Sequence, residues 1–172
     1  MINYIEKGER LHLAIADAGY TLANIDGVWV ADNETAVQEI IDTFDPLPLA
    51  IQEAKDLIDA AASEARARYV TTGVAQDPTY QMKLEDSVNF TTEGYPEENL
   101  SDYLMLKAEA EAMQTTGEQA AKLVIATYTQ WKALASTIEN LRRKGSVLLS
   151  TLTEWRDCKQ VANTIINQLD SI

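Results

Sequence analysis

The chain has 172 residues, 46% of them hydrophobic, with 27 acidic and 14 basic side chains and a formal net charge of −13. The hydrophobic content excludes a disordered chain, and the length suits one domain or a small domain with an attached helical segment. The negative charge excludes nucleic acid as an expected partner, because phosphate binding requires a basic surface. The single cysteine, Cys158, excludes a disulfide scaffold or a thiolate zinc site within one chain.

Targeting and membrane signals are also missing from the sequence. Residues 1–10 do not combine a positively charged segment with a following apolar run. No stretch approaches the roughly 18 consecutive apolar residues of a membrane-spanning helix. We therefore expect a protein made in the cytoplasm, without membrane partners.

Residues 1–45 are expected to form a small α-β-β-α unit. Apolar residues from Glu6 to Ala18 follow a helical period, and Gly19 is a suitable C-terminal cap. The Asp26-Gly27 turn signal separates two short β-prone runs and predicts a hairpin. Either Asp32 or Asn33 can cap a second helix. The apolar inner face of that helix consists of Val37, Ile40, Ile41 and Phe44.

The run Asp45-Pro46-Leu47-Pro48 predicts a boundary, which divides the chain into domains at 1–45 and 46–172. Three shorter helices are expected in the second domain, at about 49–69, from 78 onward and at about 98–113. The first should end at Thr71-Thr72-Gly73, and Asp77 should cap the second. Thr115 or Thr116 forms a capping box with Glu118 or Gln119 ahead of a final helix.

The final stretch, Glu118 to Leu169, contains no proline and repeats apolar residues at gaps of three and four. This heptad pattern begins at Val124 and is interrupted only at Thr127, Gly145 and Lys159. An unbroken helix of this length would span roughly 75–80 Å, more than a compact domain of this size. We therefore predict a mainly α fold, an elongated, coiled-coil-like helical bundle with a long C-terminal helix. If that helix bends, we expect the bend at Gly145.

The apolar repeat also defines an expected interaction seam, because three short helices cover only part of so long a helix. The tryptophans in it pack in a core or anchor a partner, since large aromatic residues are enriched at interfaces. The seam consists of Trp131, Leu134, Ile138, Leu141, Leu148, Leu152, Trp155, Ile166 and Leu169.

The sequence contains no pattern typical of an active site. His12 is the only histidine, so any Ser-His-Asp or Cys-His arrangement would have to use it, and no signature residues surround it. Phosphate-binding glycine loops, metal-binding helix pairs and calcium-binding loops are also missing. We expect a protein that is not an enzyme and that has no cofactor, metal site or catalytic residue.

Several segments together resemble small tailed-bacteriophage proteins that are encoded among tail, baseplate and fibre genes. The segments are 26–31 (Asp-Gly-Val-Trp-Val-Ala), 32–42, 44–48 (Phe-Asp-Pro-Leu-Pro), 60–70, 80–83, 95–96, 107–112 and 131–142. The alanine-rich tail of those proteins is replaced here by a segment with Cys158 and Lys159.

The resemblance implies a structural role in a virion without an active site, through contacts with other phage structural proteins and in several copies. An assembly chaperone for tail fibres is an alternative with the same fold. A small effector that binds host proteins is a second alternative, from another class of function.

Overall fold

A computed structural model describes residues 1–69 and 78–172 of the chain. The fold is mainly α with helical-bundle character, and an α-β-β-α unit lies at its N-terminal end, as predicted. The predicted helix end at Thr71–Gly73 and the predicted cap at Asp77 lie outside the described residues. The elements in order are α1 (Glu9–Asp17), β1 (Leu22–Ile25), β2 (Val28–Ala31), α2 (Glu34–Thr43), α3 (Leu47–Tyr69), α4 (Pro78–Thr92), a 3-10 helix (Glu97–Asp102), α5 (Leu104–Met113), α6 (Gly117–Ser150) and α7 (Trp155–Asp170).

The described residues form two compact units, and each combines separate stretches of the chain. We name the first the mixed unit; it contains Met1–Leu57 and Gly145–Thr164. We name the second the helical unit; it contains Ile58–Lys144 and Ile165–Ile172. The predicted domain boundary between residues 45 and 46 stays a prediction.

Local signals in the first 45 residues set the ends of α1 and α2. The amide of Gly19 donates to the carbonyl of Ala16, and the amide of Tyr20 donates to that of Ile15, which is the Schellman pattern. Of the two candidate caps for α2, Asn33 is the one used, because its side-chain oxygen accepts from the amide of Ala36 at 3.1 Å. These ends agree with the predictions at Gly19 and at Asp32 or Asn33.

The predicted hairpin is present as an antiparallel pair of β1 and β2. Its two turn residues, Asp26 and Gly27, have φ angles of 52° and 85°. Positive φ at both positions is the type I′ geometry that matches the twist of the flanking strands. Thr21 lies just before β1, and its amide donates to the carboxylate of Asp32 at 3.1 Å, which closes the open end of the hairpin.

The core of the mixed unit lies between α1, α2 and one face of the hairpin. Leu11 and Ile15 from α1 meet Val37 and Ile41 from α2, together with Ile2. The partly buried residues packed against this core are Tyr4, Tyr20, Leu22, Trp29, Ala31, Ile40 and Phe44. The helices therefore cover the inner side of a hairpin that would be unstable alone.

The core of the helical unit is aromatic and lies around Phe90. The ring of Phe90 makes edge contacts with those of Tyr103 and Tyr95, at centroid distances of 5.1 and 6.0 Å. Leu106, Ala110, Ala120 and Ala121 complete this cluster, and Ile58 and Ile138 are among the other buried residues of the unit. In α4 the buried residues are Ser87 and Phe90, whereas Val88 is exposed. The predicted helix at 98–113 is divided between the 3-10 helix and α5.

Two side chains cap the start of α6. The hydroxyl of Thr116 accepts from the amide of Gln119 at 3.2 Å, as the capping box predicts. The carboxylate of Glu97 accepts from the amides of Gly117 and Glu118, at 3.1 and 2.8 Å. Three amides that have no partner inside the helix are thereby satisfied.

The predicted long C-terminal helix is present, but it does not run unbroken from Glu118 to Leu169, and its break does not fall at Gly145, where a bend was expected. Helix α6 continues through Gly145 and ends at Ser150. The hydroxyls of Ser150 and Thr151 donate to the carbonyls of Val147 and Leu148, at 2.7 and 2.8 Å. Such bonds compete with the backbone ladder of a helix, whereas one interior glycine costs only about 1 kcal/mol. The break therefore coincides with these two hydroxyl side chains and not with the glycine.

Candidate functional site

The predicted seam residues differ in burial and belong to both units. Ile138 and Leu169 are buried, while Leu148 is exposed. The remaining ones are half-buried: Trp131, Leu134, Leu141, Leu152, Trp155 and Ile166. Leu148, Leu152 and Trp155 belong to the mixed unit and the others to the helical unit. Whether they contact a partner stays a prediction.

Burial in α6 departs from the heptad frame towards its C-terminal end. The frame places Leu148 in the seam, but the structure buries Leu149, with Gly145 one turn before it. A straight helix drifts by about 20° per heptad relative to an exact 3.5-residue repeat, so the buried stripe moves to the neighbouring residue. In α7 the buried positions are Cys158, Ala162, Ile165 and Leu169.

An open groove of the mixed unit contains one of the predicted residues, Trp155. The groove has a volume of about 690 Å³, and a neighbouring one has a volume of about 490 Å³. Both are lined by Ala50, Glu53, Leu57 and Trp155, so they form one continuous depression, which we name the Trp155 groove. Exposed Leu13 and Leu57 add apolar surface to it. The combination of an aromatic side chain and exposed leucines is typical of a protein-binding surface.

The indole of Trp155 is held by a glycine and an arginine. Trp155 is the first residue of α7, and its ring lies against Gly8, so closely that a β-carbon on Gly8 would be 3.2 Å from it. The guanidinium of Arg156 lies 4.7 Å from the ring centroid and also donates to the carbonyl of Glu6 at 3.3 Å. These contacts give the ring a fixed position at the edge of the groove.

Lys7 fixes the N-terminal wall of the groove. Its ammonium donates to the carbonyls of Ile41 and Phe44, at 2.6 and 2.7 Å. Both carbonyls belong to the C-terminal end of α2, where a cation also interacts favourably with the helix dipole. Lys7 thus ties the segment before α1 to the end of α2.

Positive side chains are concentrated at the groove. Lys7, Arg10, Arg156 and Lys159 all line it, and Lys55 is the only other lysine or arginine of the mixed unit. Arg10 forms an ion pair with Glu53 on α3. The lining acids are Glu9, Glu53 and Asp56. In a strongly acidic protein, the groove is therefore a place where the two signs of charge are nearly balanced.

The single cysteine and the single histidine both pack among other side chains. Cys158 is buried beside the groove, and burial raises the pKa of its thiol. A raised pKa lowers the thiolate fraction and therefore the nucleophilicity. The ring of His12 lies 5.7 Å from that of Trp29, and its Nε2 is 3.0 Å from the hydroxyl of Tyr4. This aromatic cluster packs against the core of the mixed unit.

Among the described residues, no group of three or more His, Cys, Asp or Glu side chains is placed to hold a metal ion. Helices that are long and apolar enough to cross a membrane are likewise missing from residues 1–69 and 78–172. The chain matches no protein-family model and has no significant match among curated proteins or solved structures.

Sequence reasoning identified Trp155 but missed the residues around it. Gly8, Leu57 and Arg156 are brought to Trp155 by tertiary structure. A tryptophan and a glycine separated by almost the whole chain carry no local signal that they touch. Only an estimate of long-range contacts would reveal the groove.

Proposed function

We propose that the chain is a non-enzymatic structural component of a tailed-phage virion, in the tail, baseplate or fibre-attachment region. Contacts with other phage structural proteins would hold it there, and the Trp155 groove would make one of them. The resemblance of the sequence segments supports the phage assignment. The single observation that supports the contact site is the fixed indole of Trp155 beside exposed leucines.

The geometry favours contact with a protein over binding of a small metabolite. The groove is open, and its lining combines an aromatic and several apolar residues with charged side chains. Protein interfaces likewise combine large apolar anchors with polar residues. A lining with nearly balanced charges would suit a partner that also carries both signs.

Quantitative mass spectrometry of purified virions tests the proposal. A structural component should be present in a constant number of copies per particle. Absence from the particle, with the protein found on unassembled fibre protein instead, would contradict the structural role and favour the chaperone alternative. Recovery on host proteins alone would favour the effector alternative.

A matched pair of variants in α3 tests the groove itself. Leu57 is 52% exposed and lines the groove, while Leu49 is 44% exposed and does not. Leu57→Ser should reduce the copies per virion when the variant replaces the wild-type protein, and Leu49→Ser should not. Equal incorporation of the two variants would show that the groove is not the contact site.

A further inference from the structure

The outer face of the hairpin is apolar, although it faces away from the core. Side chains alternate between the two faces of a strand, and Leu22, Trp29 and Ala31 point inward to the core. The other face carries two directly paired sets, Ala23 with Val30 and Ile25 with Val28. Ile25, Val28 and Val30 are 58%, 47% and 36% exposed, and Ala23 is also exposed.

An apolar outer face is unusual for a hairpin that has only one covered side. Antiparallel sheets with one solvated face normally alternate apolar and polar residues, and continuous apolar runs are typical of strands buried on both faces. The run Val28-Trp29-Val30-Ala31 is continuously apolar, like a strand that is buried on both faces. The outer face therefore has the character of a surface that becomes covered.

The charged side chains of the segment that contains this face are all negative, and one of them, Glu34, forms an ion pair with the N-terminal ammonium of Met1. No lysine or arginine occurs between Arg10 and Lys55. The two nearest cations before the hairpin already have partners. Lys7 donates to carbonyls at the C-terminal end of α2, and Arg10 forms an ion pair with Glu53. Asp26 lies at the tip of the hairpin, and Asp32 and Glu34 follow its second strand; all three are exposed. The acids of the segment are Asp17, Asp26, Asp32, Glu34, Glu39, Asp42, Asp45 and Glu53.

We infer that the outer face of the hairpin binds a basic protein partner, whose apolar contact residues are flanked by lysine or arginine. The apolar side chains provide the contact, and the surrounding carboxylates select positive charge around it. A second copy of the chain would bring the same acids into opposition, which disfavours self-association through this face. The inference goes beyond the proposed function and does not depend on the chain being a virion component.

Peptide titration of the full-length protein, followed by NMR, tests the inference. The probe is a short peptide with alternating valine and threonine at its centre and lysines at both ends. Its counterpart has glutamates in place of the lysines. The lysine peptide should shift the amide signals of residues 22–31, with an affinity that falls severalfold as salt is raised. The glutamate peptide should cause no shift.

The double variant Val28→Thr/Val30→Thr separates apolar contact from charge attraction alone. Threonine keeps the branched β-carbon, so the strands should persist, which circular dichroism checks. The loss of apolar surface should weaken binding about tenfold. The control Val88→Thr/Val147→Thr changes two exposed valines outside the hairpin and should leave the affinity unchanged.

Three results would overturn the inference. The first is no binding of the lysine peptide at low salt. The second is equal affinity for wild-type protein and Val28→Thr/Val30→Thr, because binding would then be electrostatic only. The third is self-association of the wild-type chain that this double variant abolishes, because a second copy would then occupy the face.

Discussion

Gly8 lies against the ring of Trp155. Its φ angle of +84° lies in the left-handed region, where a side chain is strained, and its α-carbon faces the indole. Gly19 has nearly the same φ angle, +82°, but open space around it. Gly8 and Gly19 therefore differ mainly in crowding.

This difference predicts unequal costs for two alanine substitutions. Gly19→Ala should lower the free energy of unfolding by about 1 kcal/mol through backbone strain. Gly8→Ala should cost about 1–2 kcal/mol more, because the methyl group meets the indole. Urea unfolding measures both, and tryptophan fluorescence should change only for Gly8→Ala. Equal costs would show that the indole does not pack on Gly8 in solution.

Tyr103 predicts a pH dependence in the helical unit. Two main causes raise the pKa of the Tyr103 hydroxyl to about 12. The larger is a hydrogen bond with Glu93, and the second is burial. The pKa in the folded state lies above the ordinary value near 10, so the neutral phenol stabilises the fold. This contribution is complete below about pH 10 and is lost as the pH rises through about 12.

Carbon NMR of the tyrosine rings can follow this titration. Glu93→Gln removes the negative charge of the hydrogen-bond acceptor and should lower the pKa of Tyr103 towards 10. Glu98→Gln changes an exposed carboxylate in the 3-10 helix and should leave it unchanged. A wild-type Tyr103 that titrates with the other tyrosines would contradict the expected hydrogen bond.

At the scale of elements, two neighbouring leucines of α6 differ in burial. Leu149 is fully buried, whereas Leu148 is 40% exposed. Leu149→Ala should lower the free energy of unfolding by about 3 kcal/mol, through lost burial and a cavity. Leu148→Ala should change it by about 0.5 kcal/mol or less. Thermal and urea unfolding measure both, and the reverse order would restore the heptad frame.

The elements that the sequence predicts well are those with local causes. The turn at Asp26-Gly27, the cap at Asn33 and the capping box at Thr116 each depend on residues within a few positions, and each is present. The division of the last helix was not predicted, because serine and threonine are tolerated inside many helices. Their effect depends on where the hydroxyls donate, which periodicity does not show.

At the scale of the whole molecule, self-association through the seam stays a prediction that solution mass can test. One chain weighs 19.1 kDa, and we expect a larger mass by light scattering. Leu148→Asp should reduce that mass without unfolding the single chain, because Leu148 is exposed within one chain. Leu123→Asp, at another exposed position of α6, is the control. A mass of one chain at all concentrations would contradict the expected oligomer.

The candidate site was less predictable than the fold because it is built from distant parts of the chain. Helix periodicity identified Trp155 as a large apolar residue but could not supply Gly8 or Leu57 as its neighbours. The hairpin face was visible in the sequence as the run Val28-Trp29-Val30-Ala31, but its exposure required the structure. Periodicity shows which residues are apolar, whereas tertiary structure decides which of them stay uncovered.

The groove also has a consequence for the order of synthesis on the ribosome. The hydrophobic cluster between α1, α2 and the hairpin takes its buried residues from no later than Ile41, so it can form while the chain is still being translated. The indole that completes the groove is added only when translation reaches Trp155. A truncated chain therefore has the small core but lacks the binding surface, so only chains translated at least that far can engage a partner there.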